Sequence, residues 1–226
     1  MLVVLTREAG YNDELRWWVG DVGDVVEAPL TTTAYREVDE VAREIDATGL
    51  AGTFSELVVS SVRARRYVAA ARATLRPGGR VLSVGPSTTR MLGEEGVTVA
   101  AESPGRADDL AVEIAEGPVL FVGARDARVE LPEALAAKGV IAVAVVAYET
   151  VALEIGEDVA WLLARADVVV IGAPSAWAVA RTYVGSTAWV VVPGATTGSV
   201  VRRDHVRVIE AWGEGLRDVL DTLDGG

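Results

Sequence analysis

The chain contains no cysteine, which excludes a disulfide framework and thiolate chemistry alike. It has one histidine, His205, too few for a His-rich metal centre and unpromising for a Ser-His-Asp triad. Lysine occurs once, at Lys138, so positive charge rests almost wholly on arginine. Several motifs are missing too. No G-x-G-x-x-G follows the first apolar run, and there is no G-x-x-x-x-G-K-[ST], G-x-S-x-G or H-E-x-x-H. Their absence disfavours dinucleotide, nucleoside triphosphate, hydrolase and zinc chemistry. No apolar stretch reaches membrane length without charges, and the opening MLVVLTREAG turns polar too early for a signal peptide. A soluble, cytoplasmic protein is expected.

Positive charge as a whole is in deficit: the formal net charge is −12. An acidic surface argues against nucleic acid and anionic membranes as partners. A polyanionic small molecule would need a local cluster of positive groups. The 226 residues suffice for one large or two small domains, and a hydrophobic fraction of 50% allows a full core.

Short apolar runs alternate with helical patterns nearly throughout, which predicts α/β architecture with parallel sheets wrapped by helices. Residues 2–5 read as a strand, 12–19 as a helix with Leu15, Trp18 and Val19 on one face, and 25–30 as a second strand. A helix is expected over 63–75, a Pro77-Gly78-Gly79 turn after it, a strand over 97–101, a loop at 103–105 and a helix over 107–115. The stretch 131–151 organises the reading. Leu131, Leu135 and Ala136 recur at helical spacing, Gly139 stops the helix, and 140–146 is a continuous apolar run expected of a covered strand. Tyr148, Glu149 and Thr150 then interrupt it. A polar triplet just past a buried strand suits ligand contacts, with Tyr148 exposed, although a tyrosine that only caps the core fits the same pattern. His205 reads as structural, and Trp17, Trp18 and Trp161 as packing residues.

The chain also repeats itself. LVVSSVRARRYVAAA near 57 resembles VVIGAPSAWAVARTYV near 169, and VLSVGPSTTRML near 81 resembles VVVPGATTGSVV near 191. VTVAAESPGRADDLAVEI near 97 resembles VRVIEAWGEGLRDVLDTL near 206, and residues 5–35 resemble 121–150 in layout. Two similar halves are expected. Loops with small polar residues follow strands and open helices at Ser60-Ser61, Gly85 to Thr88, Ser103, Pro174-Ser175 and Gly194 to Thr197. One such loop is an ordinary cap, but several at matching places suggest a site for a ligand with many anionic groups. Arg7, Arg63 and Arg125 lie at or near strand ends, where a guanidinium can pair with a carboxylate.

Together these residues resemble uroporphyrinogen-III synthases. LTRE at 5–8 resembles the family's opening LTRP, with Glu8 in place of proline. VVSSVRA at 58–64 resembles its TS-x-x-A/V motif, with Ser60 where Thr is usual, and VGPSTTRML its G-x-x-T-A-x-x-L motif, with Thr89 for Ala. VLFVGARDARVELPEALAAKG followed by AYETV resembles the segment that carries the family's tyrosine. APSAW at 173–177 resembles SPSA, with Ala173 for the first Ser, and PGATTG repeats G-x-x-T with Gly194 and Thr197.

The resemblance implies two flavodoxin-like (Rossmann-like) parallel-sheet domains joined by a two-stranded linker. One would comprise 1–33 plus 150–226, the other 34–149, with linkers near 30–35 and 146–151. It implies closure of hydroxymethylbilane, a linear tetrapyrrole with eight carboxylates, with inversion of the last pyrrole ring, loss of water and no cofactor. Tyr148 would be the proton donor. Arg7, Ser61, Arg63, Thr88, Ser103, Arg125, Ser175 and Thr197 would bind substrate. A monomer with a small-molecule substrate and no nucleic-acid or membrane partner is expected. The alternative is a noncatalytic, regulatory or tetrapyrrole-binding module of the same fold, motivated by the departures at Glu8, Ser60, Thr89 and Ala173. A hinged small-anion receptor is a third reading, and the missing signal peptide counts against it.

Overall fold

The computed structural model describes residues 1–104, 107–127 and 130–225; Gly105, the end of the predicted 103–105 loop, lies outside them. The chain divides into two compact units, Met1–Thr33 with Thr150–Gly226, and Ala34–Glu149. It enters the first unit through β1 (Leu2–Leu5), α1 (Asp13–Val19) and β2 (Asp24–Glu27). β3 (Thr31–Tyr35) leads out of it. The second unit follows with α2 (Val38–Ala47), β4 (Phe54–Val59), a 3-10 helix (Val62–Tyr67) and α3 (Val68–Ala73). Next come β5 (Leu75–Val84), α4 (Pro86–Glu94), β6 (Ala101–Ser103) and a second 3-10 helix (Ala107–Val112). β7 (Val119–Ala124), α5 (Glu130–Ala137) and β8 (Ala142–Ala152) complete it. The chain returns to the first unit with α6 (Glu157–Arg165), β9 (Val168–Val170), α7 (Pro174–Ala180) and β10 (Trp189–Val192). α8 (Ala195–Val201), β11 (Val208–Glu210) and α9 (Glu214–Asp224) end it.

The first unit holds a parallel sheet in the order β11-β10-β9-β1-β2. In the unit's own chain order this is 2-1-3-4-5, the flavodoxin-like doubly wound arrangement. Alternation along the strands sorts its core into two faces. Val4, Val169, Ile171, Val190 and Val192 pack with Leu163, Trp177 and Val201 on one side. Val3, Leu5, Val168, Val170 and Val191 pack with Leu15, Val19, Leu216 and Leu220 on the other. Both faces are covered by helices, which is why these strands read as unbroken valine runs.

The second unit's sheet runs β3-β8-β7-β4-β5-β6. β8, β7, β4, β5 and β6 are mutually parallel. β3 lies antiparallel on β8: Arg36 N–H reaches the Ala147 carbonyl at 2.9 Å, and Leu153 N–H the Leu30 carbonyl at 3.0 Å. Leu57, Val59, Leu120, Val122 and Val145 face α2 and the first 3-10 helix through Val41, Ile45 and Tyr67. Val58, Leu82 and Val119 face Leu110, Ile114, Leu131 and Leu135.

Read from the same edge, the sheets run β11-β10-β9-β1-β2 and β6-β5-β4-β7-β8, the second extended by β3 beyond β8. Each internal sequence match joins strands that hold the same place in the two sheets. β9 answers β4, β10 answers β5, β11 answers β6, and β1-β2 answer β7-β8. The α/β class with parallel sheets is thus the observed fold.

Several local expectations differ. The predicted 63–75 helix is split, because Ser61 caps a 3-10 turn before α3 begins. Pro77-Gly78-Gly79 falls within the span of β5 rather than before it: Leu75 pairs with Phe54 and Arg80 with Glu56, and the extra residues turn out of the strand at Gly78, with φ 78°. The strand expected at 97–101 starts only at Ala101, and Ser103 belongs to it rather than to a loop. The 107–115 helix is a shorter 3-10 turn. β8 runs straight through the polar triplet, and Tyr148 is only 4% exposed, not exposed as expected. Trp17 and Trp161 are exposed, so packing holds only for Trp18. His205 is buried, its Nε2 lying 2.8 Å from the Ala188 carbonyl oxygen.

Candidate functional site

In an open α/β sheet, ligands collect outside the carboxyl ends of the strands, where the strand order reverses. That point lies between β4 and β7 in the second unit and between β9 and β1 in the first.

In the second unit Ser60 and Ser61 follow β4. The Ser61 hydroxyl accepts the Arg63 N–H at 3.2 Å and caps the 3-10 helix. Gly123 of β7 faces this loop, and a Cβ added there would meet Ser60 Oγ at 3.6 Å. After β5 the chain turns at Gly85, with φ 81°, a conformation that suits glycine, and enters α4 with Pro86 in the first turn. Thr88, in that turn, is buried, and its N–H donates to the Gly85 carbonyl at 3.1 Å. Ser103 ends β6; its carbonyl accepts the Gly85 N–H at 2.7 Å, and its hydroxyl donates to Asp109 at 3.3 Å. Arg125, just past β7, donates its backbone N–H to the Tyr148 carbonyl at 2.8 Å and its Nε to Glu149 at 2.5 Å. Tyr148 is in register with Ala124, the last residue of β7. It therefore sits level with the carboxyl edge although β8 continues beyond it. Ser61, Arg63, Thr88, Ser103, Arg125 and Tyr148 thus line the carboxyl edge of one sheet.

The first unit offers an equivalent edge. Thr6 is buried and its hydroxyl donates to the Val170 carbonyl at 2.7 Å, tying β1 to β9 at the switch. Arg7 follows, its guanidinium carbon 5.9 Å from the Trp212 ring centroid. Ser175 is exposed in the first turn of α7, and Thr197 is buried in the first turn of α8. By the internal repeat, Arg7 matches Arg125 and Thr197 matches Thr88. Each pair occupies the same place in its own unit.

Two of the departures from the family motifs have local explanations. The Glu8 carboxylate accepts the Thr33 N–H at 2.7 Å, the Thr33 hydroxyl at 2.6 Å and the Thr32 hydroxyl at 3.2 Å, so it anchors the start of β3. The Thr89 hydroxyl lies 2.6 Å from the Ser83 hydroxyl and donates to Glu102, joining α4 to β5 and β6. Ala173 sits at the N-cap of α7 in extended conformation and makes no side-chain cap bond, and nothing in the structure explains it in place of Ser. Nothing in the structure explains Ser60 in place of Thr.

A cluster beside Tyr148 went unread in the sequence. Its ring lies 5.9 Å from that of Tyr35, the residue opposite it on β3. The Arg66 guanidinium carbon is 5.2 Å from the Tyr35 ring centroid and 5.9 Å from that of Tyr67. The Tyr67 hydroxyl is 2.7 Å from both the Arg36 and the Ala147 carbonyl oxygens. Burial pushes the Tyr67 phenol above its usual pKa, and the nearby Arg66 charge opposes that shift. The available signal was the dipeptide Ala-Tyr, which occurs at 34–35 and again at 147–148.

The uroporphyrinogen-III synthase HemD family model matches residues 21–211. A mutant uroporphyrinogen III synthase from Thermus thermophilus superposes with a TM-score of 0.66 at 15% identity, covering 100% of both chains. A uroporphyrinogen-III synthetase from Helicobacter pylori gives 0.64 at 17% identity, covering 97% of this chain and 96% of that one. At these identities the superpositions speak for the fold. No match is found among curated protein sequences. With its family model spanning most of the sequence, this chain belongs to the uroporphyrinogen-III synthase family.

Proposed function

We propose that this chain closes hydroxymethylbilane to uroporphyrinogen III, inverting the last pyrrole ring and releasing water, as a hydro-lyase that works as a cytoplasmic monomer without a cofactor. The observation that carries this reading is the family match across residues 21–211. Among the described residues, no helix is long and apolar enough to cross a membrane.

The chemistry asks little of the protein in functional groups and much in positioning. The hydroxyl leaves from the first ring, giving an azafulvene that the far ring attacks at its substituted carbon. A spiro intermediate then fragments and recloses. The protein has to hold eight carboxylates, keep the chain ends together and assist departure of the hydroxyl. Tyr148 is the proposed assistant. A phenol is a weak acid at neutral pH, so its contribution is hydrogen bonding to the departing oxygen. Its register with the end of β7, beside Arg125, supports that role. Arg7, Arg63 and Arg125 take carboxylates by charge. Ser61, Thr88, Ser103, Ser175 and Thr197 take them through hydroxyls and neighbouring N–H groups. Those local clusters offset the repulsion expected from a net charge of −12.

The test is a coupled assay in which hydroxymethylbilane is generated in place, with and without the protein, and the oxidised porphyrin isomers are separated. Left alone, the substrate closes without inversion to isomer I. Predominantly isomer III with the protein present is the expected result. Isomer I alone, from folded protein, would leave a noncatalytic relative.

A further inference from the structure

Two arginines close to Arg66 in sequence or fold are engaged by acids: Arg65 is held by Glu94 and Glu95, and Arg36 by Glu44. Arg66 is exposed and has no carboxylate partner among the described residues. It is held instead by rings, with its guanidinium carbon 5.2 Å from the Tyr35 centroid and 5.9 Å from the Tyr67 centroid. Those rings are themselves fixed. Tyr67 is 1% exposed and bonded through its hydroxyl to two backbone carbonyls. Tyr35 packs at 5.9 Å from Tyr148.

A guanidinium resting on aromatic rings keeps its in-plane N–H donors available for a bidentate carboxylate. It has also given up part of its side-chain freedom before any ligand arrives, which lowers the cost of binding. An acidic chain in which such a cation has no carboxylate partner among the described residues, one ring away from Tyr148, has a receptor ready for an external anion. We propose that Arg66 binds one carboxylate of the linear tetrapyrrole substrate, next to Tyr148, with Tyr35 and Tyr67 as the platform that positions it. The proposal rests on the reading that the substrate is the octacarboxylate named above.

The experiment compares wild type with Arg66→Met, Arg66→Lys and Tyr35→Leu. Steady-state kinetics in the coupled assay, thermal stability and fluorescence-monitored binding of uroporphyrin III, the oxidised octacarboxylate product, are measured for each. For Arg66→Met, KM and the Kd for uroporphyrin III should both rise about fivefold or more, with kcat within about twofold. Arg66→Lys keeps the charge but loses the bidentate fork, and should recover part of the affinity. Tyr35→Leu should weaken binding in the same direction by less. Unchanged KM and Kd in Arg66→Met would overturn the proposal. So would a fall in kcat at unchanged KM, which would mean that Arg66 acts only through Tyr148. If Arg66→Met also lowers Tm, Arg66→Lys decides: affinity recovered at the lower Tm supports the proposal, and affinity not recovered overturns it. A wild type that yields only isomer I would sink the proposed activity, and uroporphyrin III binding would still report on Arg66 separately.

Discussion

The Tyr67 hydroxyl meets the Ala147 carbonyl at 2.7 Å across 80 residues of sequence, pinning the helix after β4 to the strand that carries Tyr148. The same hydroxyl lies 2.7 Å from the carbonyl oxygen of Arg36, just past β3, so one buried donor reaches both β8 and the end of β3. Tyr67→Phe removes that donor and leaves the ring in place. Ala147 keeps its bond from Arg36 N–H at 2.9 Å, so its carbonyl is not orphaned. The loss should therefore be about 1 kcal/mol, measured by chemical denaturation with an unchanged m-value. No loss would mean that water replaces the phenol at both carbonyls.

Glu56 lies in the amino half of β4, 3% exposed, and accepts from Nε and Nη2 of Arg80 at 2.6–3.2 Å. Burial raises its pKa above the usual carboxylate value, and the bonds from Arg80 only partly offset that. The native state therefore holds this proton more tightly than the unfolded chain. The contribution to stability is greatest below the unfolded value and declines as pH rises through the folded one. Glu56→Gln should flatten that part of the stability–pH curve. Arg80→Met strands the carboxylate and should cost about 1–3 kcal/mol at pH 7. The cost should shrink near pH 4.5, where Glu56 can take up a proton. Equal losses at both pH values would show that its ionisation is not coupled to folding.

Gly23 tests the start of the first sheet. It adopts φ 68°, and a Cβ there would fall 2.1 Å from the Met1 carbonyl oxygen, which accepts the Asp24 N–H at 2.8 Å. Gly23→Ala combines left-handed strain with a backbone clash and should lose about 2 kcal/mol or more. Gly49 is the control, with φ 71° and nothing within 4 Å of an added Cβ. Gly49→Ala should cost about 1 kcal/mol, from conformation alone. Similar midpoint shifts in the two variants would remove the clash from the account.

What could be read ahead of the structure follows physical range. The valine runs of β1, β9 and β10 announced themselves because strands covered on both faces need apolar residues at every position. The repeat was legible because the same strand–helix unit was used twice, down to matching Arg7 with Arg125 and Thr88 with Thr197. Tyr148 reads as exposed in the sequence because a polar triplet looks alike whether a strand ends at it or runs on. Only the fold shows that the ring is covered, by the core of its unit and beside Tyr35, which the antiparallel pairing of β3 places opposite. Arg66 carries no signal in the sequence for a related reason. The sequence shows how many arginines there are, but only the fold shows which ones the glutamates have taken.

Thr88 and Thr197 occupy matching first turns, and both are buried, at 3% and 4% exposure. Thr88→Val and Thr197→Val keep shape and remove the hydroxyl. If these groups meet substrate carboxylates, each variant should raise KM about three- to tenfold with little change in Tm. A fall in Tm at unchanged KM would assign them to helix packing.

Tyr148→Phe decides between the two roles its surroundings permit. Packing against Tyr35 at 4% exposure is what a core tyrosine needs and what a well-positioned donor needs. Phenylalanine preserves the ring and deletes only the hydroxyl. If the phenol assists departure of the substrate hydroxyl, kcat should fall about ten- to a hundredfold while KM and Tm stay close to wild type. Residual activity should persist, since positioning supplies much of the rate enhancement and does not depend on the hydroxyl. Isomer III should remain the product, because inversion is set by how the chain ends are held and not by the proton donor. Full activity in Tyr148→Phe would reduce this residue to packing. A shift toward isomer I would instead place its hydroxyl in control of the intermediate's geometry.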